Sequence, residues 1–200
     1  MLTAQERATA LRIAMTAATT PLRTGQQWFP DPSELTGELA APGACFVTLT
    51  GRGQLLGCIG SLEPRRPLGE DIAAQAFAAA FRDPRMPALT DHDLPELHVE
   101  VSVLGPLEPL EVAGRAQLAE VLRPGIDGLL IESGWHRATF LPAVWRSVSG
   151  TPEFLDLLWR KAGMRPRDWP RDLTVHTYCT DEFGAFYSPR PSEPDPPIEL

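Results

Sequence analysis

A hairpin signal in the first third of the chain constrains the fold most. Cys45–Thr50 (Cys-Phe-Val-Thr-Leu-Thr) is β-branched and aromatic, as a strand requires, and Gly51-Arg52-Gly53 supplies a turn. Gln54–Gly60 runs back as the partner strand, within the stretch Leu55-Leu56-Gly57-Cys58-Ile59-Gly60-Ser61. Glycine has no Cβ, so Cys58 is flanked by positions where another backbone or a ligand approaches closely. Two readings of Cys58 follow. One is a thiol displayed at the floor of a pocket, the other a small buried hydrophobe. Cys45 and Cys58 share a face only if the pairing sum is odd, and a one-residue slip reverses the answer.

The rest of the chain supplies helices and further strands without a strict βαβ rhythm. Thr3–Thr20 is alanine-rich, with Leu11, Met15 and Ala18 at helical spacing, and Pro21 is expected to stop that helix. Residues 21–42 read as an ordered loop. Gly69–Phe81 reads as a core-facing helix through Ile72, Ala76 and Ala80, ended by Arg82-Asp83-Pro84-Arg85-Met86-Pro87. Leu97–Leu104 alternates as a strand with one apolar face, and Leu107–Val112 continues extended. Ala116–Leu122 reads as a short helix. Asp127–Glu132 and Trp135–Phe140 bracket Ser133-Gly134 as a second hairpin. A short helix follows Leu141-Pro142. Thr151-Pro152 then starts another, with threonine as N-cap, an inward face of Phe154, Leu155, Leu158, Trp159 and Ala162, and Gly163 at its end. Leu173–Cys179 and Phe183–Tyr187 are the last strands. The pattern predicts an α+β fold of largely antiparallel sheets with packed helices. Two hairpin-plus-helix stretches, 44–82 and 126–163, suggest an internal duplication. The proline-rich residues 188–200 are expected to be a disordered tail.

Composition narrows the function classes. The 200 residues carry a net charge of −8, which disfavours unaided binding to a phosphate backbone. Arg160, Lys161, Arg165, Arg167 and Arg171, interleaved with Trp159 and Trp169, are the best candidate for a basic, base-stacking patch, and cations gathered at a helix C-terminus are the stronger reading of them. Cys45, Cys58 and Cys179 form no Cys-x-x-Cys pair, and the histidines show no zinc spacing, so no metal is expected. No dinucleotide fingerprint occurs, and no cofactor is expected. Glu6 and Arg7 interrupt what would be the apolar core of a signal peptide, and no apolar run reaches the length of a membrane span. The expectation is a reduced, cytoplasmic protein with no membrane contact.

Four segments stand together in order and spacing: Leu55-Leu56-Gly57-Cys58-Ile59-Gly60, Phe81–Leu89, Val101-Ser102-Val103-Leu104 and Ala138-Thr139-Phe140-Leu141-Pro142-Ala143-Val144-Trp145. With Gly125-Ile126-Asp127-Gly128-Leu129 and Lys161-Ala162-Gly163, they resemble the AMMECR-type domain family, whose hallmark is a Leu-Arg-Gly-Cys-Ile-Gly hexapeptide. The resemblance spans nearly the whole chain and matches the proteins called AmmeMemoRadiSam system protein A. It implies one AMMECR-type domain over residues 1–187, built as two intimately packed lobes around a cleft lined by the hexapeptide. As partners it implies a Memo-like protein and a radical-SAM protein. Leu56 stands where the hexapeptide has arginine, so that position offers Cys58 no cation. Arg52, Arg65 or Arg85 would have to supply it from elsewhere.

Two functions are compatible with these residues. The first is a small-molecule or partner-binding module whose cleft includes Gly57, Gly60, Ser61, Arg85 and Pro142. The alternative is an enzyme of a modification pathway with Cys58 as nucleophile, assisted by Asp127 and Thr139. The ordinary roles of these residues are plain too: Asp127 in a Gly-x-Asp-Gly turn, Thr139 as a strand threonine, Asp83 and Arg85 as a loop-fixing pair. Glu100 on its strand is either solvated or turned to the cleft.

Overall fold

Helix α1 (Ala4–Thr24) opens the chain in the computed structural model, which describes residues 1–188. Thr3 caps it through a reciprocal pair with Glu6: the Glu6 amide donates to Thr3 Oγ1, and the Thr3 amide donates to Glu6 Oε2 at 2.8 Å. The helix does not stop at Pro21. It runs one further turn to Gly25, which takes the left-handed conformation (φ 68°) and donates its amide to Pro21 O. Proline removes one backbone donor and crowds the preceding turn, a finite cost. The buried face of Ala10, Ile13, Ala14, Ala17 and Ala18, with Leu22 against the same core, offsets it. The inward stripe is therefore this alanine and isoleucine set, while Leu11 and Met15 lie at its border.

The loop expected over 21–42 contains two short 3₁₀ turns, Pro32–Glu34 and Gly37–Leu39. A bridge of β1 (Pro42–Gly43) follows, then the hairpin of β2 (Cys45–Gly51) and β3 (Gln54–Gly60). β4 (Arg66–Pro67) pairs back on β1 and leads into α2 (Leu68–Phe81). β5 (Leu97–Leu104) lies antiparallel to β2 and buries Leu97, Val99, Val101 and Val103. Beyond it come β6 (Glu108–Pro109) and α3 (Arg115–Val121), then the hairpin of β7 (Gly128–Ser133) and β8 (His136–Phe140). A 3₁₀ turn over Pro142–Ser147 precedes α4 (Thr151–Lys161), which is followed by β9 (Thr174–Tyr178) and β10 (Thr180–Phe186). Gly150, not Thr151, is the N-cap of α4; Thr151 and Pro152 are already helical. Glu153, in the first turn, accepts from the amide of Ser149, one residue before that cap, at 2.7 Å. The expected disordered tail at 188–200 lies, apart from Ser188, outside the described residues.

Two compact units result among the described residues: one of Leu2–Val103 together with 182–188, the other of Leu104–Asp181. The first holds a four-stranded sheet in the order β10-β5-β2-β3, with α2 on β2 and β3 and α1 on α2. Its core joins Val47, Leu49, Ile72, Ala76, Val99 and Val101 to the buried face of α1. The second holds the sheet β6-β9-β7-β8 with α4 packed on β8. Its core is built on Leu129, Ile131, Phe154, Leu158 and Trp159. The same plan recurs in both: a hairpin, a helix, then a strand antiparallel to the first hairpin strand. The fold is α+β with antiparallel sheets.

Candidate functional site

The hairpin turn fixes where Cys58 points. Arg52 (φ 51°) and Gly53 (φ 72°) form a two-residue turn, and Gly51 pairs with Gln54, Thr50 with Leu55. Continued unbroken, that register would place Cys58 opposite Val47, on the face buried beneath α2. Instead Leu49 pairs with Gly57, leaving Leu56 unpaired as a β-bulge. Cys58 therefore lies opposite Thr48 and turns away from α2, while Cys45 is buried on the other side. Leu56 is the bulge residue itself. Its side chain packs over Gly51 and against the α1–α2 core.

Glycine flanks the cysteine because protein, not ligand, occupies the space. A Cβ on Gly57 would lie 2.0 Å from Ala79 O of α2, so this is where strand and helix backbones meet. A Cβ on Gly60 would strike the Phe46 ring at 2.2 Å. Ser61 Oγ donates to Asp71 Oδ2 at 2.9 Å, and that carboxylate also accepts from the Cys45 amide at 3.2 Å. Burial, followed by the Asp71 charge, pushes the Cys45 thiol well up, so Cys45 is a protonated, enclosed group. Asp71, which sequence reasoning passed over, is the anchor of that corner.

Cys58 itself is held from the loop after α2. Asp83 Oδ2 accepts from the Cys58 amide at 2.9 Å, and Arg85 Nη2 donates to the Cys58 carbonyl at 2.9 Å. Arg85 closes the arrangement on Asp83, Nε to Oδ1 at 2.9 Å and Nη2 to Oδ2 at 2.7 Å. The Asp83 side chain is 1% exposed and that of Arg85 58%. Hydrogen bonds from Arg85, helped by the Cys58 amide and against the opposing effect of burial, hold the Asp83 carboxyl far below its usual range. Asp83 in turn raises the Arg85 guanidinium. Together they present an acceptor and a donor to Cys58 as a neighbouring strand would, so both of its outward backbone groups are satisfied. Arg85 is the cation at the site. Arg52 and Arg65 are paired elsewhere, with Glu96 and Glu63. The thiol is half-buried and accepts a hydrogen bond from Thr48 Oγ1 at 3.3 Å.

Asp127, Thr139 and Pro142 belong to the other unit. Asp127 is buried, with both oxygens taken by Arg123: Nη2 to Oδ1 at 2.6 Å and the Arg123 amide to Oδ2 at 2.8 Å. Its carbonyl accepts from Trp145 Nε1 at 2.7 Å. Thr139 is buried, bonded to Leu129 O at 2.9 Å and to Tyr178 Oη at 2.5 Å. Burial pushes the Tyr178 phenol up to about 12. Pro142 is buried at the start of its 3₁₀ turn. His136 Nδ1 lies 2.7 Å from Ala162 O, where α4 ends. Trp159 is fully buried and stacked on Trp169, which removes it from any base-stacking surface. Among the described residues, no group of three or more His, Cys, Asp and Glu is placed to hold a metal ion, and no helix is long and apolar enough to cross a membrane.

The AMMECR1 family model matches residues 11–183. A protein from Methanothermobacter thermautotrophicus is 39% identical over 166 residues, covering 82% of this chain and 86% of its own. Another, from Methanosarcina mazei, is 32% identical over 198 residues, covering 98% and 96%. The crystal structure of an uncharacterised protein from Pyrococcus horikoshii superposes with a TM-score of 0.81 at 32% identity, covering 89% of this chain and 90% of that one. The match takes in the hairpin with its cysteine, the Asp83-Pro84-Arg85 loop and the second hairpin. This chain belongs to the AMMECR1 family.

Proposed function

We propose that this chain is a binding module whose docking point is the end of β3 at Cys58, acting in the cytoplasm with a Memo-like protein and a radical-SAM protein. One observation carries the reading. Asp83 and Arg85 hold both backbone groups of Cys58, so the thiol is fixed beside Thr48 on the half-buried face of the sheet. A positioned side chain on a rigid strand favours recognition, because little ordering entropy is left to lose on binding. Reaction chemistry has less support. The partner of the thiol on β2 is a hydroxyl, and Asp127 and Thr139 spend their polar atoms inside their own unit.

The test is titration with a Memo-like protein and a radical-SAM protein, separately and mixed, read by native mass spectrometry. A complex forms, and Arg85→Ala weakens it roughly tenfold, the loss expected for one charged hydrogen bond. Unchanged affinity in Arg85→Ala moves the docking point away from Cys58. Absence of a complex in every combination ends the partner reading. The second reading, Cys58 as nucleophile in a modification pathway, rests on Arg85, which brings to the cysteine the charge that Leu56 lacks. It requires a covalent adduct on the Cys58 peptide during turnover of the partner system.

A further inference from the structure

Glu100 shares a cross-strand row with Cys58. Thr48 of β2 lies opposite Cys58 on one side and opposite Glu100 on the other, so the three side chains leave the sheet on the same face. Neighbouring strands are about 4.8 Å apart, which places Glu100 two strands, roughly 10 Å, from the thiol. Glu100 is half-buried, and no described residue gives its carboxylate an ion pair or hydrogen bond. Arg85 does not serve it, since its charge is answered by Asp83. The next strand, β10, carries Gly184, where a Cβ would meet the His98 ring at 2.7 Å. His98 in turn meets Phe186 edge-on at 5.0 Å. The row thus runs from a thiol to a carboxylate that no described residue answers, with an aromatic border.

We propose that this face selects ligands carrying a protonated amine or another organic cation beside Cys58, and that Glu100 determines the sign of charge it accepts. The inference rests on the reading that Cys58 marks the docking point. A half-buried carboxylate has lost part of its hydration, and a ligand cation restores what was lost, whereas an anion in the same row is repelled. An organic cation fits better than a metal ion, because no described set of ligands surrounds one.

Three methanethiosulfonate reagents test this on the whole chain: one with a trimethylammonium group, one with a sulfonate and one neutral. In each, the Cys58 thiolate attacks the sulfenyl sulfur, a protein disulfide forms, and methanesulfinate leaves with the electron pair, the thiol proton passing to buffer. Rates are read by mass spectrometry and normalised to a free thiol. The cationic reagent modifies Cys58 about three- to tenfold faster than the anionic one, as one charge at this range in a partly aqueous setting dictates. Glu100→Gln brings the ratio to about one and leaves the neutral rate unchanged. Cys179, exposed and 4.0 Å from Arg123 Nη2, prefers the anionic reagent in both proteins. In the unmutated chain, the Cys58 preference fades at 1 M salt, where the Debye length is about 3 Å. Equal normalised rates overturn the proposal. So does a preference that survives Glu100→Gln, which would assign it to the overall charge of −8. Failure of the neutral reagent closes the site and overturns the docking point as well, whereas a normal neutral rate without charge preference removes the cation selectivity alone.

Discussion

Asp83 is the residue on which the Cys58 geometry turns. It accepts from the Cys58 amide and from the amide, Nε and Nη2 of Arg85, so its loss frees a backbone group and strands a guanidinium together. Asp83→Ala is expected to cost about 2–4 kcal/mol, from charged hydrogen bonds broken at a buried acceptor. The carboxyl is held below its usual range in the folded chain, so its contribution is fully present above the unfolded value of about 3.9 and is lost as pH falls towards the folded one. In urea unfolding, the gap between wild type and Asp83→Ala stays constant from pH 7 to about 5 and narrows below about 4. A gap that keeps its full size at pH 3 would show that the ion pair contributes nothing. Gly57 gives a second residue-level test. Its Cβ would lie 2.0 Å from a helix carbonyl that has no rotamer to move, so Gly57→Ala should destabilise by about 3 kcal/mol. Near-wild-type stability would mean that β3 and α2 slide apart freely. The Asp83–Arg85 pair was legible in the sequence as a loop clasp. Its reach to Cys58, 25 residues away, was not, because local spacing carries no information about which loop returns to which strand.

Most elements were legible, since hydrophobic period and turn residues fix them locally: both hairpins, the Leu97–Leu104 strand, the buried face of α4 and Gly163 at φ 74° past its end. The misreadings occur where tertiary packing outweighs a local rule. Pro21 reads as a stop, yet Leu22 reaches the core and Gly25 supplies the cap, so the last turn survives the missing donor. Pro21→Ala should therefore stabilise α1, by roughly 1–3 kcal/mol, seen as a raised melting temperature. A lowered one would mean that the ring itself packs usefully. The bulge at Leu56 is the other limit. The turn sets an odd pairing sum, the bulge makes it even, and no composition rule places a bulge at a leucine. Within α4, Trp159 is fully buried, with Nε1 donating to Asp168 O at 2.7 Å. Trp159→Ala should cost about 3–5 kcal/mol through cavity formation. An unchanged urea midpoint would place this ring at the surface instead.

The chain builds one unit, leaves it after Val103 to build the other, and returns at Glu182. Segment 104–181 is thus an insertion, and it carries its own sheet, helix pair and core cluster. Repetition of the hairpin–helix–strand plan explains why each part closes a core on its own: the helix covers one face of its hairpin, and the third strand extends the sheet. The candidate site residues divide along the same line. The Cys58, Asp83 and Arg85 cluster is complete within the first unit, whereas Asp127 and Thr139 are tied into the second by Arg123 and Tyr178. A sequence shows which residue types are present but not which of them are already satisfied, so it does not separate these two from Cys58. Autonomy of the insertion is testable. Four of the five tryptophans lie in 104–181, where Trp145 stacks on Phe154 at 3.8 Å and Trp159 on Trp169 at 5.8 Å. A fragment of residues 104–181 is long enough to bury such a core without staples. It should show blue-shifted indole emission and one cooperative urea transition, and Trp159→Ala in the fragment should move that midpoint as it does in the whole chain. Emission of a solvated indole with no transition would mean that the insertion depends on the unit that carries it, and that the two cores fold as one.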